Sequence, residues 1–251
     1  MTLKAQQNHF ATVATQYASY RPTYPTALIH DIVSLAGGPA ITALDLAAGN
    51  GQATTTLATA CATVFASDLA YSQIAAMPRV PNIHTYVSRA EQTGLPDASI
   101  DLICVAQSMH WFDIDAFHNE VRRIGKPGGV IAVWTYALLR ATPALTAIID
   151  ELYAETAAHW PADRVHVDAH YATLAFPYTR IPYTAPPMTV AFTRERLIGY
   201  LQTWSGVQRY IKAGHADPVL ARADAFAAAW GQPPEAPVTF TFDLTVLLGR
   251  L

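Results

Sequence analysis

Ala43-Leu44-Asp45-Leu46-Ala47-Ala48-Gly49-Asn50-Gly51-Gln52 is the stretch of sequence that decides the fold. An apolar run that is bounded by turn residues is typical of a buried parallel strand. Two glycines one residue apart suit a tight turn into a helix, where the backbone approaches a ligand closely. A second apolar run, Val64-Phe65-Ala66, ends in Ser67-Asp68. Two strands that each end on a carboxylate beside a turn predict a nucleoside-binding crevice at the carboxyl ends of a parallel sheet.

The same alternation of strand and helix patterns continues through residues 41–135. Apolar runs predict strands at 41–46, 63–67, 83–87, 100–106 and 130–134, with a turn at Pro127-Gly128-Gly129 before the last of them and a clear amphipathic helix over 113–124. This order predicts an α/β protein built from right-handed βαβ units. Beyond Trp134 the pattern predicts helices near 143–159, 193–203 and 217–230, and a final strand over 238–248.

Composition narrows the class of protein. The 251 residues are 51% hydrophobic and 14% charged, with a net charge of −3. We expect a single domain over residues 1–251, and the acidic balance gives no electrostatic argument for nucleic acid or a membrane surface. No apolar run is long enough to span a bilayer, and the polar first residues lack the apolar region of a signal peptide. We therefore expect a cytoplasmic protein.

The two cysteines, Cys61 and Cys104, are far apart in sequence and each lies among apolar residues. This context favours buried free thiols. The sequence has no Cys/His spacing that is typical of a metal site, so we predict no metal.

A dinucleotide-binding enzyme, such as a dehydrogenase, is the first alternative for the glycine turn. The Gly-x-Gly-x-x-Gly pattern of such enzymes is absent, because Thr54 stands where the third glycine belongs. The spacing therefore argues against NAD or FAD.

Taken together, the motifs resemble those of class I S-adenosylmethionine-dependent methyltransferases, and more narrowly the small-molecule branch that includes trans-aconitate methyltransferase-like proteins. The motifs that carry this resemblance are Tyr17 to Pro25, Asp45 to Gln52, Asp68, Ala90-Glu91 with Leu95-Pro96, Gln107 with His110-Trp111-Phe112-Asp113, and Pro127-Gly128-Gly129. The resemblance implies a Rossmann-like, seven-stranded, mostly parallel sheet with helices on both faces and an antiparallel C-terminal strand. It also implies an N-terminal helical lid over 1–36 and a partly helical, substrate-side insertion over 137–235.

The resemblance also implies S-adenosylmethionine as the cofactor. Asp68 would accept the ribose hydroxyls, the turn glycines would approach the amino-acid end, and Asp45 would either orient the ammonium through a water or fix the loop. Two positions depart from the family pattern: Ala47 stands where the first glycine is usual, and Arg89 stands where an acid usually meets the adenine. The backbone of Ala90 or the side chain of Glu91 would then serve the adenine. The full implied set is Tyr17, Arg21, Asp45, Ala47, Gly49, Gly51, Gln52, Asp68, Leu69, Ala90, Glu91 and Gln107.

His110 is the candidate catalytic residue, because it follows strand 100–106 where a transferred methyl group would face the acceptor. It is either a general base or, with Trp111, part of the pocket wall. The segment around Tyr17 is either a lid or a helix that packs aromatic residues on the core. Candidate substrate contacts are Tyr20, Tyr24, Trp111 and Arg140.

We therefore predict methyl transfer by direct displacement to a small-molecule acceptor with a carboxylate, a hydroxyl or a ring nitrogen. The alternative is a protein that binds the cofactor but has no transfer activity, which Ala47 and Arg89 would explain. A nucleic-acid methyltransferase is disfavoured because Gln107-Ser108-Met109-His110 replaces the Asn/Asp-Pro-Pro-aromatic motif of that class. The sequence predicts no nucleic-acid partner and no membrane partner, and it leaves the oligomeric state open.

Overall fold

A computed structural model of the chain describes residues 20–251, and its centre is one eight-stranded sheet. The order of strands along the sheet is β3-β2-β1-β4-β5-β8-β6, and β7 pairs with β8 beside β6. The strands are β1 (Thr42–Leu46), β2 (Thr63–Asp68), β3 (Ile83–Val87), β4 (Ile100–Ala106), β5 (Gly125–Arg140), β6 (Thr179–Arg180), β7 (Met188–Phe192) and β8 (Val238–Arg250).

Helices cover both faces of this sheet. They are α1 (Thr26–Leu35), α2 (Thr54–Ala60), α3 (Tyr71–Ala76), α4 (Ile114–Ile124), α5 (Pro143–Glu155), α6 (Arg164–Asp168), α7 (Arg194–Gln202), α8 (Ser205–Lys212) and α9 (Ala223–Trp230). Short 3₁₀ turns lie at Met109–Trp111, Ala157–His159 and Leu220–Arg222.

The core lies in two layers because side chains of a strand alternate between the faces of a sheet. In β1, Ala43 belongs to the cluster that contains α1, while Leu44 belongs to the cluster that contains α4. In β4, Leu102 and Ile103 divide in the same way. Strands buried on both faces read as continuous apolar runs, which is why their positions could be predicted from sequence.

The predicted fold class is confirmed: β1 to β5 pair in parallel, and β8 pairs antiparallel with β5. The predicted number of seven strands is wrong, since the described residues form eight. The extra strand arises because β8 is 13 residues long. Its outer edge therefore has room for two short partners, with Thr179 opposite Arg250 and Met188 opposite Phe242.

The turn predicted at Pro127-Gly128-Gly129 is also wrong, because these residues lie inside β5. The strand begins at Gly125 and absorbs them as an irregularity, with the register to β4 shifting between Ile100 and Leu102. Gly128 has φ = 77°, a conformation that glycine adopts without strain. The strand also continues past Trp134 to Arg140, so it carries the sheet beyond the carboxyl end of β4.

Helix ends follow local sequence signals. Asp113 caps α4 by accepting a hydrogen bond from the Ala116 amide at 3.2 Å, and Pro25 immediately precedes α1. The predicted helix over 143–159 ends as α5 at Glu155 and continues only as a 3₁₀ turn. The predicted helical lid over 1–36 falls partly outside the described residues, and Tyr17 lies outside them altogether.

Cys61 and Cys104 are buried free thiols, as the sequence predicts. Within residues 20–251, no helix has the length and apolar character needed to cross a membrane.

Candidate active site

The carboxyl ends of β1, β2 and β4 lie side by side at one edge of the sheet. Leu46 at the end of β1 pairs with Ser67 on one side and with Val105 on the other. The residues that follow these strands are therefore neighbours. This register brings the turn after Leu46 between Asp68 and Gln107.

Residues 47–52, which we call the glycine turn, alternate between left-handed and ordinary backbone conformations. Ala47, Gly49 and Gly51 have φ values of 53°, 57° and 94°. A Cβ at Gly51 would lie 2.8 Å from Met77 Cγ, whereas a Cβ at Gly49 would meet only Gln73 Oε1, at 4.0 Å. The turn is thus packed behind Gly51 and open above Gly49, which lets a ligand approach the backbone there.

Asp68 connects the glycine turn to the end of β2. Its Oδ2 accepts a hydrogen bond from the Gly49 amide at 2.9 Å, and its Oδ1 accepts one from the Ala70 amide at 2.8 Å. Beside it, Leu69 and Tyr71 are 70% and 72% exposed. An ionised carboxylate has lone pairs to spare after two such bonds. Asp68 can therefore accept further donors next to an exposed apolar surface.

Asp45 lies fully buried beneath the turn. Its Oδ2 accepts a hydrogen bond from Thr54 Oγ1 at 2.6 Å, while its Oδ1 has no hydrogen-bond partner among the described residues. Burial, reinforced by the negative charge of Asp68, raises the pKa of Asp45 to about 7. In this structure the Asp45 side chain joins the end of β1 to Thr54 at the start of α2, beneath the turn.

Asn50 is a further residue of the turn, and its type and position in the sequence do not predict a role for it. Its Nδ2 is buried and has no hydrogen-bond partner within residues 20–251. A buried amide donor without a partner is unfavourable unless a ligand or water accepts from it. Its neighbour Gln52 is half-buried in the same turn.

The segment after β3 brings Ala90 and Glu91 to the same edge. Ala90 is buried. The Glu91 carboxylate accepts a hydrogen bond from the Asp113 amide at 2.9 Å and pairs with Arg89 Nε at 3.3 Å. These contacts use the Glu91 side chain to join its loop to the start of α4.

Gln107, which follows β4, has φ = 57°, an uncommon conformation for a residue other than glycine. Its side-chain Nε2 donates to the Tyr136 carbonyl at 3.0 Å, and its Oε1 accepts from Thr135 Oγ1. Bonds at both ends of the amide group hold Gln107 against β5. Strain of this kind persists only where the surrounding structure enforces it, and it is concentrated at functional sites.

Beyond Gln107 lies a cavity of about 200 Å³, which we call the aromatic cavity. Its described walls include Arg21, Gln107, His110, Trp111, Tyr136, Trp160, Arg164, Tyr200 and Trp204. These residues come from the segment before α1, from the ends of β4 and β5, and from segments near α6 and α7. The cavity therefore lies at the same sheet edge as the glycine turn, and Gln107 stands between the two.

His110 is one wall of this cavity and sits on the 3₁₀ turn after β4. Its Nδ1 lies 2.8 Å from the hydroxyl of Tyr171, which is only 1% exposed, and its ring is 4.6 Å from the ring of Trp111. Burial, followed by the positive charge of Arg164, lowers the pKa of His110 to about 4. The imidazole is therefore neutral near pH 7.

The four candidate substrate contacts lie in different places: one lines the cavity, two pack against other parts of the fold, and one is exposed. Trp111 lines the cavity and is 54% exposed, so it forms part of the rim. Tyr20 packs against Gly199, where a Cβ would lie 2.5 Å from the Tyr20 ring. Tyr24 is buried edge-on against Trp134, with ring centroids 5.4 Å apart. Arg140 forms an exposed ion pair with Asp150 and does not line the cavity.

Several cavity residues were not singled out from the sequence, namely Tyr136, Trp160, Arg164, Tyr200 and Trp204, and neither was Tyr171, the partner of His110. The insertion predicted over 137–235 contains all of them except Tyr136, and its density of aromatic residues is the signal that could have found the cavity. Arg164 begins α6, a helix of only five residues, which is too short to show a pattern that would single out this arginine in the sequence.

Comparison with known proteins agrees with this geometry. Residues 44–133 match the family model described as a methyltransferase domain. A protein of Dictyostelium discoideum named as a methyltransferase is 31% identical over 212 residues, which is 83% of this chain and 81% of that protein. An uncharacterized methyltransferase of Mycobacterium tuberculosis is 33% identical over 127 residues, covering 50% of this chain and 51% of its own length.

Solved structures show the same likeness over the whole fold. A structure from Anaeromyxobacter dehalogenans, named as a type II methyltransferase, superposes with a TM-score of 0.84 at 40% identity. It covers 92% of this chain and 97% of its own. Because long stretches of sequence and structure match at these levels, the chain belongs to the S-adenosylmethionine-dependent methyltransferases of class I.

Proposed function

We propose that this protein binds S-adenosylmethionine across the glycine turn and transfers its methyl group to a small molecule in the aromatic cavity. One observation carries the proposal: the turn and the cavity lie at one sheet edge and meet at Gln107. A donor held at the turn would therefore face an acceptor held in the cavity. Neither feature alone indicates a transfer reaction.

The residues of the turn suit this cofactor. Asp68 has free lone pairs for the ribose hydroxyls, and exposed Leu69 offers an apolar surface to the adenine. The open backbone above Gly49 and the unpaired Nδ2 of Asn50 suit the polar amino-acid end. Glu91 is already bonded to Asp113 and Arg89, so the backbone near Ala90 is the better adenine contact.

The sulfonium of the bound cofactor supplies an already activated methyl group. The protein then has to align the acceptor atom with the methyl carbon and exclude water. Positioning of this kind lowers a barrier by roughly 7–11 kcal/mol. The walls formed by Tyr136, Tyr200 and Trp204, all buried, are suited to both tasks.

His110 is placed to take the proton of a hydroxyl or a ring nitrogen. Because its pKa of about 4 makes it a weak base, the proton would move as the bond to the methyl carbon forms and the acceptor atom becomes acidic. The neutral His110 ring lines the cavity, and Tyr171 bonds to Nδ1, which leaves Nε2 as the nitrogen available to a ligand. We assign Tyr171 as a positioning residue, because its hydroxyl holds the ring in place. For Nε2 to act as the base, Nδ1 has to carry the proton and donate it to the Tyr171 oxygen. A carboxylate acceptor would need no base, and His110 would then act only as a wall.

The alternative function is cofactor binding without transfer. Ala47 in place of the first glycine and Arg89 in place of an acid are its motivation. The presence of an aromatic cavity next to Gln107 favours transfer, since a protein that only binds the cofactor has no need of an acceptor site.

The test begins with calorimetric binding of S-adenosylmethionine and of its demethylated product to the purified protein. Asp68→Ala should weaken both by about 100-fold or more, because it removes two hydrogen bonds to a charged acceptor at about 1.5–3 kcal/mol each. Asp224→Asn is the matched control, since Asp224 is an exposed acid on α9. It should bind like the wild type.

Transfer itself is tested with methyl-labelled cofactor and a small-molecule cell extract, followed by identification of the labelled product. A labelled small molecule that is absent with Asp68→Ala supports the function. Tight cofactor binding with no labelled product supports the alternative, and absence of binding to the wild type contradicts both.

A further inference from the structure

Arg164 is the feature of the aromatic cavity that the transfer reaction does not explain. Its Nε pairs with Asp168 Oδ1 at 2.9 Å, and its guanidinium carbon lies 4.8 Å from the ring centroid of Trp160. Its Nη2 is buried and has no hydrogen-bond partner among the described residues. A guanidinium that is fixed by an ion pair and by stacking, yet keeps a buried donor unpaired, is preorganised for a bound acceptor.

The charged residues that line the cavity have one sign, although Asp168, which is not part of the lining, offsets part of the Arg164 charge. Among the described lining residues, Arg21 and Arg164 are the charged ones, and none is an aspartate or a glutamate. Arg21 Nη1 contacts the hydroxyl of Tyr136 at 3.4 Å. Two cations in a partly enclosed site attract an anion, because low-dielectric walls concentrate the field.

The walls select a flat shape. Trp160 and Trp204 have ring centroids 5.6 Å apart, and Tyr200 meets Trp204 edge-on at 6.1 Å. Surfaces of this kind favour an aromatic ring through offset or edge contacts. A cavity of about 150 Å³ already holds benzene. The aromatic cavity, at about 200 Å³, therefore has the size for one ring with small substituents.

His110 defines the reactive end, because it follows β4 beside Gln107 while Arg164 begins α6. We infer that the acceptor is a small aromatic hydroxy acid, whose carboxylate is bound by Arg164 and whose hydroxyl lies at His110. This inference rests on the proposed function and names its substrate class. The hydroxyl oxygen forms a bond to the methyl carbon as the carbon–sulfur bond breaks. That bond's electron pair stays on sulfur, the hydroxyl proton passes to His110, and the product is a methyl ether.

The experiment uses protein saturated with S-adenosylhomocysteine and titrates it with the three hydroxybenzoate isomers and their methyl esters. We expect at least one isomer to bind about 10-fold or more tightly than its neutral ester, because the ester cannot pair with a cation. Arg164→Gln should remove this preference with a loss of about 10- to 100-fold, the size of one or more charged hydrogen bonds. Arg164→Lys, which keeps the charge without the fork of donors, should lose less.

Arg196→Gln is the matched control, because Arg196 also stacks on an aromatic ring, that of Phe192 at 5.0 Å, but does not line the cavity. It should change nothing. With labelled cofactor, mass spectrometry should show the methyl group on the ether oxygen.

Three results would overturn the inference: equal affinity for acids and esters, no binding of any isomer, or a methyl ester as product. In each of these cases S-adenosylhomocysteine still binds, so the proposed function survives. If S-adenosylhomocysteine itself does not bind to the wild type, the proposed function fails together with the inference.

Discussion

The glycine turn and the aromatic cavity are neighbours, but their charges are opposite. The carboxylate of Asp68 is bonded to the turn, whereas the guanidinium groups of Arg21 and Arg164 line the cavity. A cationic donor is therefore favoured on one side of Gln107 and an anionic acceptor on the other. The difference shows how one sheet edge can hold two reactants of opposite charge facing each other.

The two regions also differ in how the chain builds them. The contacts of the turn are short in sequence: Asp68 bonds to Gly49, and Asp45 to Thr54. The cavity needs distant partners, since His110 bonds to Tyr171 and Arg21 contacts Tyr136, which are pairs 61 and 115 positions apart in sequence. We expect the turn to govern cofactor affinity and the cavity to govern turnover.

The largest expected effect lies on the cavity side. His110→Gln should lower kcat for a hydroxyl acceptor by about 100-fold or more, the usual contribution of a general base. The affinity for S-adenosylhomocysteine should stay within about two-fold, because His110 is not part of the turn. Since its pKa is about 4, wild-type kcat should show no loss from His110 between pH 6 and pH 9 and should fall only as the pH drops toward 4.

A matched control is present elsewhere in the fold. His118 Nδ1 lies 2.7 Å from the hydroxyl of Tyr178, so it forms the same type of pair without lining the cavity. His118→Gln should keep the wild-type kcat for all acceptors. Tyr171→Phe should lower kcat by about 10-fold with little change in KM and should shift the acidic limb of the pH profile, as expected for a positioning residue. Equal kcat in His110→Gln and wild type would leave His110 only the role of a wall.

The second prediction concerns the turn. The folded-state pKa of Asp45 is raised to about 7, so the folded protein binds more protons than the unfolded chain between pH 4 and pH 7. The Asp45 contribution to stability should therefore fall as pH rises through this window. Relative to Asp45→Asn, wild type should lose about 2–3 kcal/mol of unfolding free energy from pH 5 to pH 7.

Urea unfolding of both proteins at several pH values measures this difference. Other titrating groups are common to the two proteins and cancel in the comparison. A difference between wild type and Asp45→Asn that does not change with pH would show that Asp45 is ionised in the fold throughout.

The difference between the two regions also explains what could be predicted from sequence. Strands buried on both faces and the motif around Gly49 are local signals, so the parallel sheet and the turn followed from them. Pro127-Gly128-Gly129 predicts a turn but lies within β5, because glycine also serves irregularities within a strand. The contacts of Arg164 with Trp160 and Asp168 are local, but its role depends on the segment packing against the ends of β4 and β5, which no local pattern encodes.

The smallest expected effect tests the strain in the turn. Ala47 has φ = 53°, a left-handed conformation that costs an L-residue about 1–2 kcal/mol. Ala47→Gly should therefore raise the free energy of unfolding by about 0.5–1 kcal/mol, because glycine's extra freedom in the unfolded chain offsets part of the relief. The neighbouring Ala48→Gly, at a residue without positive φ, should lower it by about the same amount. Urea unfolding measures both. A gain of about 10-fold or more in kcat for Ala47→Gly would instead show that this alanine impairs transfer, which is what the binding-only alternative requires.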